Sequence, residues 1–159
     1  EAFGVSIAYH NRRHVNELTY RYYPTLLALA SAVDTLIVVV PGGDATRDAV
    51  NAEVLKALGT DGVLINIGRG STVDEEAVAS ALREGIIAAA GLDVFKNEPH
   101  VPQSLINAPN CVLLPHLGSA SEHTRKAMAD LCVDNLVSWF SGKGAITPVP
   151  ETVQHQKRD

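Results

Sequence analysis

The chain has 159 residues, 46% of them hydrophobic, with 13 Lys and Arg against 18 Asp and Glu, a formal net charge of -5. That length buries one ordinary core, and an acidic balance without a basic face excludes a nucleic-acid partner. Apolar stretches such as 36–40 and 86–92 are too short to span a bilayer, and Glu1 opens no signal pattern, so no membrane association and a cytoplasmic setting are expected.

In chain order, apolar β-rich runs at 5–9, 35–40, 63–67, 88–92 and 112–114 alternate with segments of helical spacing at 23–32, 45–58 and 74–84. Alternation of this kind reads as βαβ units, and runs such as Leu36-Ile37-Val38-Val39-Val40 imply strands covered on both faces of a doubly wound parallel sheet. Thr72 or Asp74 caps the third helix before Glu75 and Glu76, whose carboxylates suit its positive end, and Gly85 closes it. A longer helix is expected over 121–140, with Met128, Leu131, Cys132, Asn135, Leu136 and Trp139 on one face, before Gly142 and Gly144. The division is then a dinucleotide-binding region at 1–120, the long helix and return segment at 121–150, and a polar tail at 151–159. Cys111 and Cys132 sit among apolar residues and are expected to be buried free thiols. No metal site is expected.

Three segments follow strands directly. Asn66-Ile67-Gly68-Arg69-Gly70-Ser71 carries a guanidinium able to hold a carboxylate by two parallel hydrogen bonds, or else is a glycine turn with a solvated Arg. Gly91-Leu92-Asp93-Val94-Phe95-Lys96-Asn97-Glu98-Pro99 places Asp93 at a strand end and Glu98 on an irregular stretch, where either carboxylate is by itself an ordinary surface charge. Leu114-Pro115-His116-Leu117-Gly118-Ser119 holds an isolated His. Because ligands of open α/β sheets collect at the carboxyl ends of strands, Arg69, Glu98 and His116 together point to one crevice.

Those three segments, with Val40-Pro41-Gly42-Gly43 followed by Thr46-Arg47, resemble the D-isomer-specific 2-hydroxyacid dehydrogenase family from about Phe3 to Pro150. Gly42-Gly43 and Pro148-Val149-Pro150-Glu151 are most similar to its glyoxylate and hydroxypyruvate reductases. The resemblance implies a Rossmann-type sheet, a small 2-keto or 2-hydroxy acid as substrate, and a homodimer at full length. Arg69 would grip the substrate carboxylate, His116 would exchange the proton, and Glu98 would pair with His116. Val40, Pro41, Thr46, Ile67, Arg69, Asp93, His116 and Gly118 would border the nicotinamide coenzyme, while Ser119 either touches ligand or merely enters the next helix.

At the end of the first strand, enzymes of this design that use NAD carry an acid for the ribose hydroxyls. Here Asn11, Arg12 and Arg13 stand there, so NADP is expected as the preferred coenzyme, with NAD as the second choice. The family's glycine-rich turn, first βα unit and substrate domain have no counterpart in these residues, so the chain alone is expected to be an inactive fragment. A regulatory protein that senses nicotinamide nucleotides without turnover is the alternative, and the complete Arg, Glu and His set speaks against it. A formate dehydrogenase relative would carry Gln in place of Glu98.

Overall fold

The computed structural model describes residues 2–150; the tail expected at 151–159 lies outside the described residues. The described residues separate into two units, which divide between His116 and Leu117.

In the first unit, β1 (Ala8–Tyr9) pairs in parallel with β2 (Arg21–Tyr22), with Tyr9 opposite Tyr22. A second sheet of four parallel strands has the order β3 (Thr35–Val38), β4 (Val63–Asn66), β5 (Ala89–Leu92), β6 (Cys111–Leu113). Helices α1 (Leu26–Ala30), α2 (Ala52–Leu58), α3 (Glu75–Arg83) and α4 (Gln103–Ile106) are the connections between them. This is the Rossmann-type α/β architecture, with all strand pairs parallel.

The strands bury alternate residues, as the two-residue period of an extended chain requires. Leu36 and Val38, Leu64 and Asn66, and Ala90 and Leu92 are buried, and Leu29, Val54, Leu55, Val78, Leu82 and Leu105 join them in one core. The opposite face exposes Ile37 at 55%, Ile67 at 55% and Val112 at 61%.

One local expectation is corrected. The helical segment expected at 45–58 is a 3-10 turn, Asp44–Thr46, followed by α2, because Asp48 takes a positive φ of 49° and Val50 forms a β-bridge with Val73. Asn51 then starts α2 by accepting from the backbone N–H groups of Glu53 and Val54 at 3.0 and 3.1 Å. The strand β2 and the short helix α4 were not expected at all; two and four residues are too few to set up a period. Of the two capping choices for α3, the side chain of Asp74 is the one that caps, accepting from Ala77 N–H at 3.2 Å.

The second unit is α5 (Glu122–Phe140) and a return segment. Ser121 caps the helix by accepting from Thr124 N–H at 3.2 Å. Asn135 clasps the return, its Oδ1 accepting from Ile146 and Thr147 N–H and its Nδ2 donating to Thr147 Oγ1 at 3.0 Å. No residue of α5 is buried, so Cys132 is an exposed thiol and Cys111 a half-buried one, against the expectation of two buried thiols. No described helix is long and apolar enough to cross a membrane.

Leu64 lies at the centre of β4 with 0% exposure. In the intact protein, Leu64→Ala is expected to cost roughly 2–5 kcal/mol, read as a fall in the urea midpoint at unchanged slope. A loss under about 1 kcal/mol would show that this sheet face is not the core.

Candidate active site

The carboxyl ends of β4, β5 and β6 release three loops on one edge of the sheet. The first is shaped by buried polar side chains. Asn66, 1% exposed, accepts from Gly68 N–H through Oδ1 at 3.1 Å and donates through Nδ2 to the Arg69 carbonyl at 3.1 Å. Thr72, fully buried, donates its hydroxyl to the same carbonyl at 2.6 Å. The backbone of Arg69 is therefore fixed while its side chain stays exposed, with Nη1 donating to the Gly68 carbonyl at 2.7 Å. Gly42 contributes by having no side chain, since a Cβ there would meet Arg69 Cγ at 3.2 Å.

The second loop follows β5. Glu98 turns back so that Oε1 accepts from Phe95 N–H at 2.9 Å, and the Glu98–Pro99 peptide is cis. Its other oxygen meets the third loop: Glu98 Oε2 lies 2.8 Å from His116 Nδ1. A carboxylate in that position receives the Nδ1 proton, fixing the tautomer and leaving Nε2 for a ligand. Glu98's pKa is lowered, first by the Phe95 N–H, then by the hydrogen bond and charge of His116, with Arg69 adding a smaller attraction. The carboxylate is thus ionised through the neutral range. A depressed pKa stabilises the fold above the ordinary carboxylate range, and that contribution disappears as pH falls through the lowered value.

Arg69, Glu98 and His116 line one open cleft of about 890 Å³ with Pro41, Gly42, Ser71 and Lys96. Lys96 is not free there, because its ammonium lies 2.6 Å from Asp48 Oδ1. A cleft with a cation for a carboxylate and a carboxylate-bound imidazole for a proton suits addition to a keto acid.

The conserved-domain profile of the D-isomer specific 2-hydroxyacid dehydrogenase NAD binding domain matches residues 1–118. The chain belongs to the D-isomer-specific 2-hydroxyacid dehydrogenase family. Glyoxylate/hydroxypyruvate reductase A of Arabidopsis thaliana is 51% identical over 149 residues, 94% of this chain and 48% of that protein. A 2-ketogluconate reductase of Gluconobacter oxydans is 47% identical over 93% of this chain and 48% of its own length. Among solved structures, the NADPH-dependent glyoxylate/hydroxypyruvate reductase of Sinorhizobium meliloti, in complex with NADP and malonate, superposes with a TM-score of 0.89 at 63% identity. That likeness covers 95% of this chain and 47% of the other. The chain spans about half the length of the relatives it matches.

Of the other expected positions only Pro41 joins this cleft. Ile67 and Asp93 line a separate apolar groove of about 400 Å³ along β4, β5 and β6, with Asp93 buried and its N–H bonded to the Asn66 carbonyl at 3.0 Å. Thr46 donates its hydroxyl to the Pro41 carbonyl at 2.8 Å, bracing the turn after Val40. Gly118 falls in the second unit.

Asn11, Arg12 and Arg13 stand exposed at the end of β1, where Asn11 Oδ1 accepts from Arg12 N–H at 2.9 Å. That leaves the Asn11 amide NH2 as a donor. Among the described residues Arg12 and Arg13 join no ion pair, whereas Arg21 is stacked 5.0 Å from the Tyr23 ring centroid. Two uncommitted guanidinium groups beside an amide donor are the donor set a sugar phosphate requires, so these residues fit a nicotinamide nucleotide bearing a 2′-phosphate.

Asn66, Thr72 and Gly70 were missed as site-forming residues. The signal was a polar side chain closing an apolar strand, which must find partners when buried. A Cβ on Gly70 would stand 1.9 Å from the Phe95 carbonyl carbon, so the Arg69 and Glu98 loops touch only because this residue is glycine. Gly70→Ala is expected to cost at least about 2 kcal/mol, read from the urea midpoint of the intact protein. Gly59→Ala, at φ 84° with nothing within 4 Å of its Cβ, should cost only about 1 kcal/mol. Equal costs would remove the packing role assigned to Gly70.

Proposed function

We propose that this chain is the coenzyme-binding half of an NAD(P)-dependent reductase that converts a small 2-keto acid of the glyoxylate or hydroxypyruvate class into the D-2-hydroxy acid. The observation that carries the reading is the 2.8 Å contact of Glu98 with His116 in a cleft that also holds Arg69. The relatives named above, reductases of glyoxylate, hydroxypyruvate and 2-ketogluconate, support the substrate class. A nucleotide sensor without turnover has no use for the acid-base pair.

Arg69 holds the keto-acid carboxylate by charge-assisted hydrogen bonds, which fixes the carbonyl beside His116. When bound, the reduced nicotinamide supplies a hydride to the carbonyl carbon. His116, protonated, gives its Nε2 proton to the oxygen that gains charge, and Glu98 balances the imidazolium until then. His116→Ala in the full-length protein should lower kcat by at least about a hundredfold while the coenzyme Kd stays within about twofold. Arg69→Ala should instead raise KM for glyoxylate by about tenfold or more, with a smaller change for coenzyme. Near-parental turnover in the first variant, or an unchanged KM in the second, would overturn the assigned role.

NADP is the preferred coenzyme on this reading, with Arg12, Arg13 and the Asn11 amide holding its 2′-phosphate. One charge-assisted contact contributes on the order of 1.5–3 kcal/mol, or roughly ten- to a hundredfold in efficiency. Exchanging Asn11 for Asp keeps the acceptor for Arg12 N–H but puts a negative charge where the phosphate would lie. Asn11→Asp with Arg12→Ala should therefore reverse the ratio of kcat/KM for NADPH over NADH, measured with one keto acid. A parent enzyme that already prefers NADH would show that Arg12 and Arg13 are solvated charges.

A further inference from the structure

Glu75 is the first residue of α3, and a carboxylate there has an obvious helix-dipole role that asks only for an exposed side chain. Its neighbour Glu76 has that character: it is exposed, and it accepts from Ser104 Oγ at 2.7 Å. Glu75 is instead 5% exposed. A buried carboxylate persists where a strong donor meets it, and Glu75 Oε1 accepts from Lys96 N–H at 2.7 Å, across 21 residues of sequence. Burial pushes its pKa up, and the Lys96 amide and ammonium oppose that, while Glu76 and Asp48 reinforce it.

The amide that Glu75 holds is next to the one that matters for His116. Phe95 N–H donates to Glu98 Oε1, Lys96 N–H donates to Glu75 Oε1, and the bare Cα of Gly70 packs against the carbonyl between them. Two successive amides thus serve two carboxylates from different parts of the chain. One carboxylate is fixed in the core; the other reaches the cleft and meets His116. We propose that Glu75 is a positioning residue of this active site, a buried clamp on Lys96 N–H that holds Phe95 N–H against Glu98 and so sets the Glu98–His116 pair. The inference rests on the reductase reading, but it concerns a residue that touches neither substrate nor coenzyme.

The consequence is a pH dependence with a definite sign. Glu98 is flanked by His116 and Arg69 as well as by the Phe95 amide, and the amide is the leading cause of its lowered pKa. If the loop loses its anchor at Lys96, Phe95 N–H moves off Glu98, whose pKa then climbs back toward the ordinary carboxylate range. Activity that needs the Glu98 carboxylate is lost as pH falls through that pKa, so the acid limb of the profile moves to higher pH.

The test is the pH profile of kcat/KM for glyoxylate in the full-length enzyme and in Glu75→Gln, Glu75→Met and Glu75→Asp. Met removes the acceptor at similar volume, Asp keeps the charge but is one methylene too short, and Gln keeps an oxygen at the right reach. The acid limb should rise by about half a pH unit or more in Met and Asp, with kcat down roughly tenfold, and return toward the parental position in Gln. A purely structural Glu75 would change the amount of folded enzyme and leave the limb in place, so an unmoved limb in a folded Met or Asp variant overturns the proposal. If the Met variant does not fold, the Asp variant decides. The same shift should appear without turnover in a 13C titration of the Glu98 carboxyl, assigned by its loss in Glu98→Gln. A parent that reduces no keto acid would defeat the reductase reading, while this titration would still report on the clamp.

Discussion

Because β3 to β6 pair in parallel, every connection leaving their carboxyl ends starts from one edge of the sheet, and residues distant in sequence meet there without any long excursion. Pairing alone brings the loops near; it does not orient them. That is done by polar groups buried at the strand ends, where an unmet hydrogen bond costs too much to leave open. Asn66 and Thr72 close on the Arg69 carbonyl, and Glu75 closes on Lys96. Gly70 lets the two loops approach to a distance no other residue permits.

The two carboxylates on the Phe95–Lys96 segment show how burial divides labour between identical chemical groups. Glu98, half-exposed and beside His116 and Arg69, is held ionised, and its charge remains available to His116. Glu75 is shut away from water and its ionisation is made harder by the same fold. Environments that push paired titratable groups in opposite directions are a mark of sites with separate chemical roles. On the proposed reading, the roles are support for Glu75 and charge balance for Glu98.

The sequence carries the exposed chemistry more openly than its supports. Arg69, Glu98 and His116 were legible because each follows an apolar strand, and strand ends are where α/β sheets place ligands. Their framework was hidden because it depends on contacts across 21 residues, as between Glu75 and Lys96, which no local period encodes. Glu75 was read as a helix-end charge, its commonest use. The helix expected at 45–58 failed for a related reason: Val50 forms a bridge with Val73, a tertiary constraint that overrode the local helical spacing. The burial expected of Cys132 came from apolar neighbours in sequence, but those neighbours lie on a helix none of whose residues is buried.

His116 adds a constraint of its own, since its backbone takes φ 55°, a region that costs an L-residue with a Cβ about 1 kcal/mol or more. Nothing about imidazole chemistry requires that conformation. The ring at this position is tied to Glu98 at 2.8 Å, and Glu98 in turn is tied to Phe95. The strained backbone position and the hydrogen bonds that orient the ring therefore meet at one residue. A change that loosens the Glu98 carboxylate releases strain and disorients the ring together, so tolerance for substitution around Phe95 and Lys96 is narrower than their loop position suggests.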